Sequence, residues 1–422
     1  MSVTDRPGAA LARFLEAHFS DARPLRLGVA VSGGGDSMAL LDLAQGWAAE
    51  RGTEIAAVTV DHRLREDSAG EAQAVARYCA RLGIRHDVLA WQGWDGRGNL
   101  EAEARRARYA AMARWGRDTG MAGILLGHTR DDQAETILMR LAREAGGDGL
   151  RGMRQAFRVE GGCPPFLRPL LEVGRAELRD HLRARDIAWA EDPMNDDPRF
   201  DRVRARRALE ALGPLGLGAE RLAAVAANLR AENELLRQVV AQTAEAQLHE
   251  AAGALVLPRA VLADMQPELR RRLLQAAIGW IGGAPYPPRR DSLRQFIDGI
   301  LAGETRMLGG IIALGGERLW LAREPAALPP TCPAGPEAVW DGRWRLHGPW
   351  GELAGAAEIG ALGADGLRAR PDWRAAALPR QVALGLPALW HDGTLLAVPH
   401  LDGGGWRADT PRDTFAAWCR AH

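Results

Sequence analysis

The sequence contains no lysine: every one of its 54 basic residues is an arginine. A GC-rich coding sequence would account for the bias. Its chemical consequence is that any reaction needing a lysine amine must take that amine from outside the chain. Cysteine is scarce as well. Cys79, Cys163, Cys332 and Cys419 are scattered with no Cys-x-x-Cys pair, which argues against a disulfide scaffold, a zinc site or an iron–sulfur cluster and suits a reducing cytoplasm. No hydrophobic run is long enough to span a bilayer, and the opening MSVTDRPGAALARFLEAHFSDARP reads as an amphipathic helix rather than a signal peptide. No membrane role is therefore expected. Net charge is missing too, with 54 acidic residues against 54 basic, so no overall field announces a nucleic-acid partner.

What is present fits a multidomain globular chain: 422 residues, 47% apolar and 26% charged. Residues 1–213 alternate short apolar runs (LRLGVAV, EIAAVTV, RHDVLAW, AGILLG) with helical patterns, the signature of an α/β domain with a parallel sheet. The break LGPLGLG at 212–218 leads into residues 214–324, which read as a mostly helical domain. That section opens on an uninterrupted helical pattern from Ala219 to Ala252 and closes on a short hairpin at 306–324. Residues 325–337, rich in proline, read as a linker, and 338–422 as a small mixed α/β C-terminal domain.

The run VAVSGGGDSMALL carries the most specific signal. An apolar strand ends in Ser32-Gly33-Gly34-Gly35-Asp36-Ser37 and a helical pattern follows. Bare backbone N–H groups at a helix N-terminus can cradle an anion, and the two serines add hydroxyls. Asp36 would repel a naked phosphate, which implies a divalent cation between carboxylate and phosphate. Two familiar phosphate loops are excluded: Gly-x-x-x-x-Gly-Lys-Ser/Thr needs a lysine, and the spacing fails Gly-x-Gly-x-x-Gly. The hexapeptide resembles the Ser-Gly-Gly-x-Asp-Ser pyrophosphate loop of the N-type ATP pyrophosphatases. Those enzymes cleave ATP between its α and β phosphates and adenylate an oxygen of their substrate.

Three further segments narrow the reading. After a strand ending at Val60 comes the turn Asp61-His62-Arg63, where His62 either lines a nucleotide pocket or bonds locally. Ser68 and Glu71 form a capping box for the next helix. In GHTRDDQAETILMRL, Asp131, Asp132 and Glu135 fall within about a third of a turn on one helix face, with Ala134, Ile137, Leu138 and Leu141 expected to form the opposite, buried face. The helix dipole favours acids there in any case. Three on one face exceed what a cap needs, and such a set can bind a metal ion or an ammonium group. Arg105 and Arg108 lie one turn apart, ready for a carboxylate or phosphate, or simply solvated.

In order from about residue 25 to 207, SGGGDS, VDHRLR, NLEAEARRARY, LLGHTRDDQAETILMRL, GLRGM, RPLL and WAEDPMNDDPRFDRVRAR resemble the tRNA(Ile)-lysidine synthetases, a PP-loop family. The resemblance implies a Rossmann-like, adenine nucleotide alpha hydrolase-like N-terminal domain. It implies ligation of free L-lysine to C2 of the wobble cytidine of an isoleucine tRNA with a CAU anticodon. ATP first adenylates the C2 oxygen, and the lysine ε-amine then displaces AMP. By the same resemblance, Ser32, Gly33, Gly34, Gly35, Asp36 and Ser37 hold pyrophosphate, with Asp36 on Mg²⁺. Asp132 and Glu135 meet the amino groups of lysine and Arg108 its carboxylate; Asp131, His128 and His62 sit near the nucleotide. Asp36, Asp132, Glu135 and Arg108 make up the catalytic set. The arginines of RFDRVRARR, namely Arg202, Arg204 and Arg206, either contact tRNA phosphates or form a solvated charge run. The family also makes a homodimer plausible.

The chain departs from the family where Arg143-Glu144-Ala145-Gly146 replaces Arg-Gly-Ser-Gly, and where Met194 replaces a common serine. A tRNA thiolase of the same superfamily would want cysteines at metal or persulfide spacing, which are absent. A catalytically inactive tRNA-binding protein should have lost at least one of Asp36, Asp132, Glu135 and Arg108.

Overall fold

The alternating pattern of the first half folds into one six-stranded sheet. The computed structural model describes residues 6–61, 68–90, 100–143, 146–159, 163–191, 199–283, 287–353, 356–402 and 405–421. They fall into two units, Met1–Asn233 and Glu234–His422. In the first, strands β1 (Arg26–Ala30), β2 (Glu54–Asp61), β3 (Arg85–Ala90), β4 (Ile124–Leu126), β5 (Ala156–Phe157) and β6 (Phe166–Leu167) stand in the order β3-β2-β1-β4-β6-β5. All neighbours run parallel except β5 and β6. The helices are α1 (Arg6–His18), α2 (Gly35–Arg51), α3 (Ser68–Leu82), α4 (Leu100–Asp118), α5 (Arg130–Leu141), α6 (Gly147–Leu150), α7 (Arg175–Ala184), α8 (Asp201–Leu212) and α9 (Ala219–Gln247). The unit boundary lies inside α9, beyond the 212–218 break.

From β1 the chain builds outward to β2 and β3; it then returns to place β4 on the other side of β1. The crevice between the carboxyl ends of β1 and β4 is therefore the switch point, where open parallel sheets bind ligands. Two of the segments singled out above, SGGGDS after β1 and GHTRDD after β4, emerge there. Helix α2 explains how the first is held. Met38, Leu40, Leu41, Leu43, Ala44 and Trp47 point in several directions around it and are all buried, because β1, β2 and β4 lie on one side and α1 and α7 on the other.

One charged residue interrupts that apolar helix. Asp42 is buried and accepts hydrogen bonds from Tyr78 Oη of α3 at 2.8 Å, while His181 Nε2 of α7 lies at 2.8 Å and Arg185 Nε at 3.0 Å. Burial alone would raise its pKa, yet the His181 and Tyr78 hydrogen bonds hold it below the ordinary value. Asp42→Ala strands all three partners and should cost roughly 3–5 kcal/mol of stability. Denaturant titration checks this, and a loss below about 1 kcal/mol would mean that the three partners find substitutes.

The middle section holds mainly helices, as expected, but it also carries a sheet that the sequence pattern did not announce. The long helix stops at Gln247, and a two-residue turn at Ala252-Gly253, both with positive φ, joins strands His249–Ala251 and Ala254–Pro258. Such turns favour Asn-Gly; Ala-Gly does not advertise one. These strands join 306–308, 311–314 and 318–323 in a five-stranded sheet, so the hairpin read at 306–324 is three strands of a larger structure. Helices Pro267–Gly282 and Arg290–Leu301 pack around the same core. The proline-rich stretch is built in as well: Cys332–Pro333 pairs with Glu358–Ala361, and Trp340 Nε1 donates to the Pro330 carbonyl at 3.0 Å. The tail holds a four-stranded and a three-stranded sheet with short helices, and its last helix, Phe415–Ala421, sets Phe415 against Trp280 at 5.6 Å. No helix among the described residues is long and apolar enough to cross a membrane.

His400 gives this unit a pH signature. Its ring meets Trp344 edge-on at 4.9 Å, its Nδ1 has no hydrogen-bond partner among the described residues, and burial lowers its pKa to about 4. A folded-state pKa below that of the unfolded chain means protonation favours unfolding. The contribution is therefore present above about pH 6.5 and lost as pH falls towards the depressed value. Wild type should lose about 2 kcal/mol more than His400→Gln between pH 7.5 and 4.5; equal losses would refute the assignment.

Candidate active site

The glycine loop is shaped by its own hydrogen bonds. Gly33 takes φ +91°, which only glycine adopts without strain. The Gly34 carbonyl caps the first turn of α2, accepting the N–H of Ser37 at 3.1 Å, the N–H of Met38 at 3.0 Å and the Ser37 hydroxyl at 2.8 Å. Ser37 Oγ accepts the Ser32 N–H at 3.2 Å. The Ser37 hydroxyl, expected to be a ligand donor, thus has a structural bond to give up first. From the far side, Ala190 N–H donates to the Gly33 carbonyl at 2.9 Å. Gly127, directly after β4, allows α2 to sit this close: a Cβ there would lie 3.0 Å from the Asp36 carbonyl oxygen and 3.1 Å from Ser37 Cα.

Helix α5 supplies the acids. Thr129 is its N-cap and forms a capping box with Asp132, whose Oδ2 accepts the Thr129 N–H at 2.8 Å and the Thr129 hydroxyl at 2.9 Å. The [ST]-x-x-[DE] spacing of Thr129 and Asp132 is a readable cap signal that the sequence reading passed over. The acidic face is not solvated: Asp132 is 8% exposed and Glu135 1%, whereas Leu141, expected to be buried, is 48% exposed. The acids turn inward because cations meet them there.

The central cation is Arg175, which sequence reading did not single out. Its Nε lies 3.1 Å from Asp36 Oδ2, its Nη2 3.1 Å from Asp132 Oδ1 and its Nη1 3.3 Å from Glu135 Oε1, while its backbone N–H donates to Asp131 Oδ2 at 2.8 Å. Arg206 Nε adds a second contact to Glu135 Oε1 at 3.1 Å. A signal existed. Arg175 is the first residue of α7, where a positive side chain opposes the helix dipole, so an arginine there needs acids nearby. Burial works against its charge, but Asp132, Asp36 and Glu135 outweigh burial and hold its pKa above the ordinary value. Asp36 is pushed up to about 6, chiefly by burial and partly by Asp132 and Asp131, against the pull of Arg175. Asp132 goes the other way: burial would raise it, and Arg175 and the Thr129 N–H bring it below the usual carboxylate range.

A basic group adjoins this acidic one. Arg168, 6% exposed, donates from Nε to His128 Nδ1 at 3.2 Å and stacks over Phe157 at 4.4 Å. Because Nδ1 accepts, the neutral His128 carries its proton on Nε2. Burial first, and then the charge of Arg168, lower the His128 pKa to about 3. Arg105 and Arg108 stand over the Tyr109 ring at 5.2 and 5.4 Å. The Nε of Arg108 is buried without a hydrogen-bond partner among the described residues. The charge of Arg202 is felt at Arg108, His128 and Asp132. Of the three arginines assigned to tRNA, Arg206 therefore faces Glu135, Arg202 adjoins the site, and Arg204 pairs with Asp201 on the exposed side of α8. His62, Glu71's side chain, Glu144, Ala145 and Met194 lie outside the described residues.

The chemistry available is two-sided. The acidic half suits a cation or an ammonium group, and the basic half suits a carboxylate or phosphate. Among the described residues no group of three or more His, Cys, Asp or Glu is placed to hold a metal alone. Asp36 is a hard oxygen donor beside an anion cradle, the setting in which a magnesium ion takes its remaining ligands from phosphate and water.

A strand-end loop of this kind, at the switch point of a parallel sheet and opposite an acidic helix start, defines a PP-loop domain, and residues 8–212 match the family model described by that name. The similarity extends well past that domain. The chain is 44% identical over 403 residues to the tRNA(Ile)-lysidine synthase of Ruegeria pomeroyi, covering 94% of each chain. It is 40% identical over 315 residues to that of Hyphomonas neptunium (72% of this chain, 82% of the relative). To that of Rhizobium meliloti it is 38% identical over 343 residues (76% and 73%). The chain belongs to the tRNA(Ile)-lysidine synthase family.

Proposed function

We propose that this chain is an ATP-dependent tRNA(Ile)-lysidine synthase that joins L-lysine to C2 of the wobble cytidine in a CAU anticodon. One observation carries the site assignment: Asp36 from the β1 loop and Asp132 and Glu135 from the β4 loop helix converge on one guanidinium. A place that holds a guanidinium through three carboxylates has the chemistry to hold a diamine. Residues 1–213 are assigned as the catalytic domain and 214–324 as the part that binds substrate and tRNA; 338–422 is a small C-terminal domain with no assigned tRNA contact.

In the first step the C2 oxygen attacks the α-phosphorus of ATP and pyrophosphate leaves. The Ser32–Ser37 loop orients the departing phosphates at the N-terminus of α2, and Asp36 would hold Mg²⁺, which would neutralise phosphate charge. His128, neutral and protonated on Nε2, offers a donor beside the nucleotide. In the second step the lysine ε-amine attacks C2, AMP departs with the former C2 oxygen, and a proton is released. Asp132 and Glu135 hold the amino groups of lysine, the ε-nitrogen attacking as the neutral amine once its ammonium form has given up a proton, and Arg108, whose Nε lacks a partner among the described residues, takes the carboxylate. All four cysteines are free, which agrees with a cytoplasmic enzyme.

Incorporation of labelled L-lysine into isoleucine and methionine CAU transcripts, run side by side with ATP and Mg²⁺, tests the reading. Stable label on the isoleucine transcript alone, with AMP and pyrophosphate formed, is the expected result. ATP cleavage without label would send the acceptor assignment back to another member of the superfamily.

A further inference from the structure

We propose that Arg175 is a resident cation that occupies the lysine subsite in the empty enzyme and must swing out before lysine enters. The proposal rests on the assignment of Asp132 and Glu135 to lysine made above.

The hydrogen-bond inventory leads to it. Both oxygens of Asp132 are engaged: Oδ2 belongs to the Thr129 cap, and Oδ1 to Arg175 Nη2 at 3.1 Å. The cap is part of α5 itself, so the exchangeable partner is Arg175. Glu135 divides its oxygens differently. Oε1 is shared by Arg175 and Arg206, while Oε2 is buried with no hydrogen-bond partner among the described residues. Burying an unsatisfied carboxylate oxygen is costly, and an arriving ammonium would satisfy it. An ammonium cannot reach Asp132 Oδ1 while the guanidinium is there without placing two positive charges side by side.

The exchange is neutral overall, one cation leaving as another arrives, so the carboxylates of Asp36, Asp132 and Glu135 are never left facing one another uncompensated. Apart from the three carboxylates, Arg175 is anchored among the described residues through its backbone at the start of α7, and its side chain retains 17% exposure, which gives it a way out. It is a positioning residue: it keeps the acids assembled and sets how tightly lysine binds before the other substrates arrive.

Calorimetric titration of L-lysine into the full chain, with a chelator and without ATP or tRNA, tests this. Arg175→Gln should bind lysine about tenfold more tightly than wild type, because competition for the site is gone. Without lysine its melting midpoint should lie below that of wild type, and lysine should narrow the gap. Arg175→Lys, which keeps a charge but cannot bridge three carboxylates, should fall between the two; it carries the measurement if the glutamine variant fails to fold. Equal or weaker lysine binding by the variants overturns the proposal. Asp132→Asn separates this failure from the deeper one: it should abolish lysine binding, and if it does not, the lysine subsite itself is misplaced.

Discussion

Asp36→Ala should release pyrophosphate at least about a thousandfold more slowly than wild type, with tRNA binding little changed. Asp36 lies in the first turn of α2, where its backbone belongs to the loop proposed to hold the phosphates and its carboxylate reaches Arg175. No second group of ligands among the described residues can take over a metal ion. The pKa of Asp36, raised to about 6 by burial and by neighbouring acids, marks a carboxylate that gains from an added cation. Glu135→Ala should behave differently, weakening use of lysine while leaving part of the ATP-dependent adenylation. Pyrophosphate release measured with and without lysine separates the two. If both variants kept full activity, the acidic cluster would have no part in the reaction.

Gly127→Ala is a subtler change that should affect both rate and stability. The added methyl would meet the Asp36 carbonyl carbon and Ser37 Cα at 3.1 Å, and these are backbone atoms of a helix packed on both sides. They cannot rotate away as a side chain could, so the loop must shift. A displacement of a few tenths of an ångström in the loop should lower the adenylation rate about threefold to tenfold, and overpacking should cost about 1–3 kcal/mol. Steady-state pyrophosphate release and thermal melting report the two effects. An alanine variant of native activity and stability would mean that the close approach is not a constraint.

Both positions belong to segments that can be read directly, because a strand, a glycine turn and a helix leave a contiguous mark on the sequence. The parallel order of the sheet followed from alternation, and the location of the site followed from that order. Arg175 was harder to find. Its importance comes from contacts with residues far away in the chain, and locally it shows only as an arginine at the wrong end of a helix. The burial of Asp132 and Glu135 was hidden for the same reason, since a helical wheel sees the acids but not the guanidinium that draws them in. In the second unit the strand 254–258 escaped notice because ALVLP is as apolar as a buried helix, and the Ala-Gly turn before it lacks the usual residues. Arg206 and Arg202 read as tRNA-phosphate contacts or a solvated charge run until α8 placed them beside Glu135 and His128.

The burial of α2 on both sides has a consequence for how the protein fails. Residues 37–44 of α2, covered by the sheet on one face and by α1 and α7 on the other, have no local route to solvent, so their amides should exchange with deuterium only when the whole unit opens. The phosphate loop is the start of that same helix. No partly opened form can therefore keep the nucleotide cradle or lose it separately, and on heating, inactivation and melting of this unit should follow one curve.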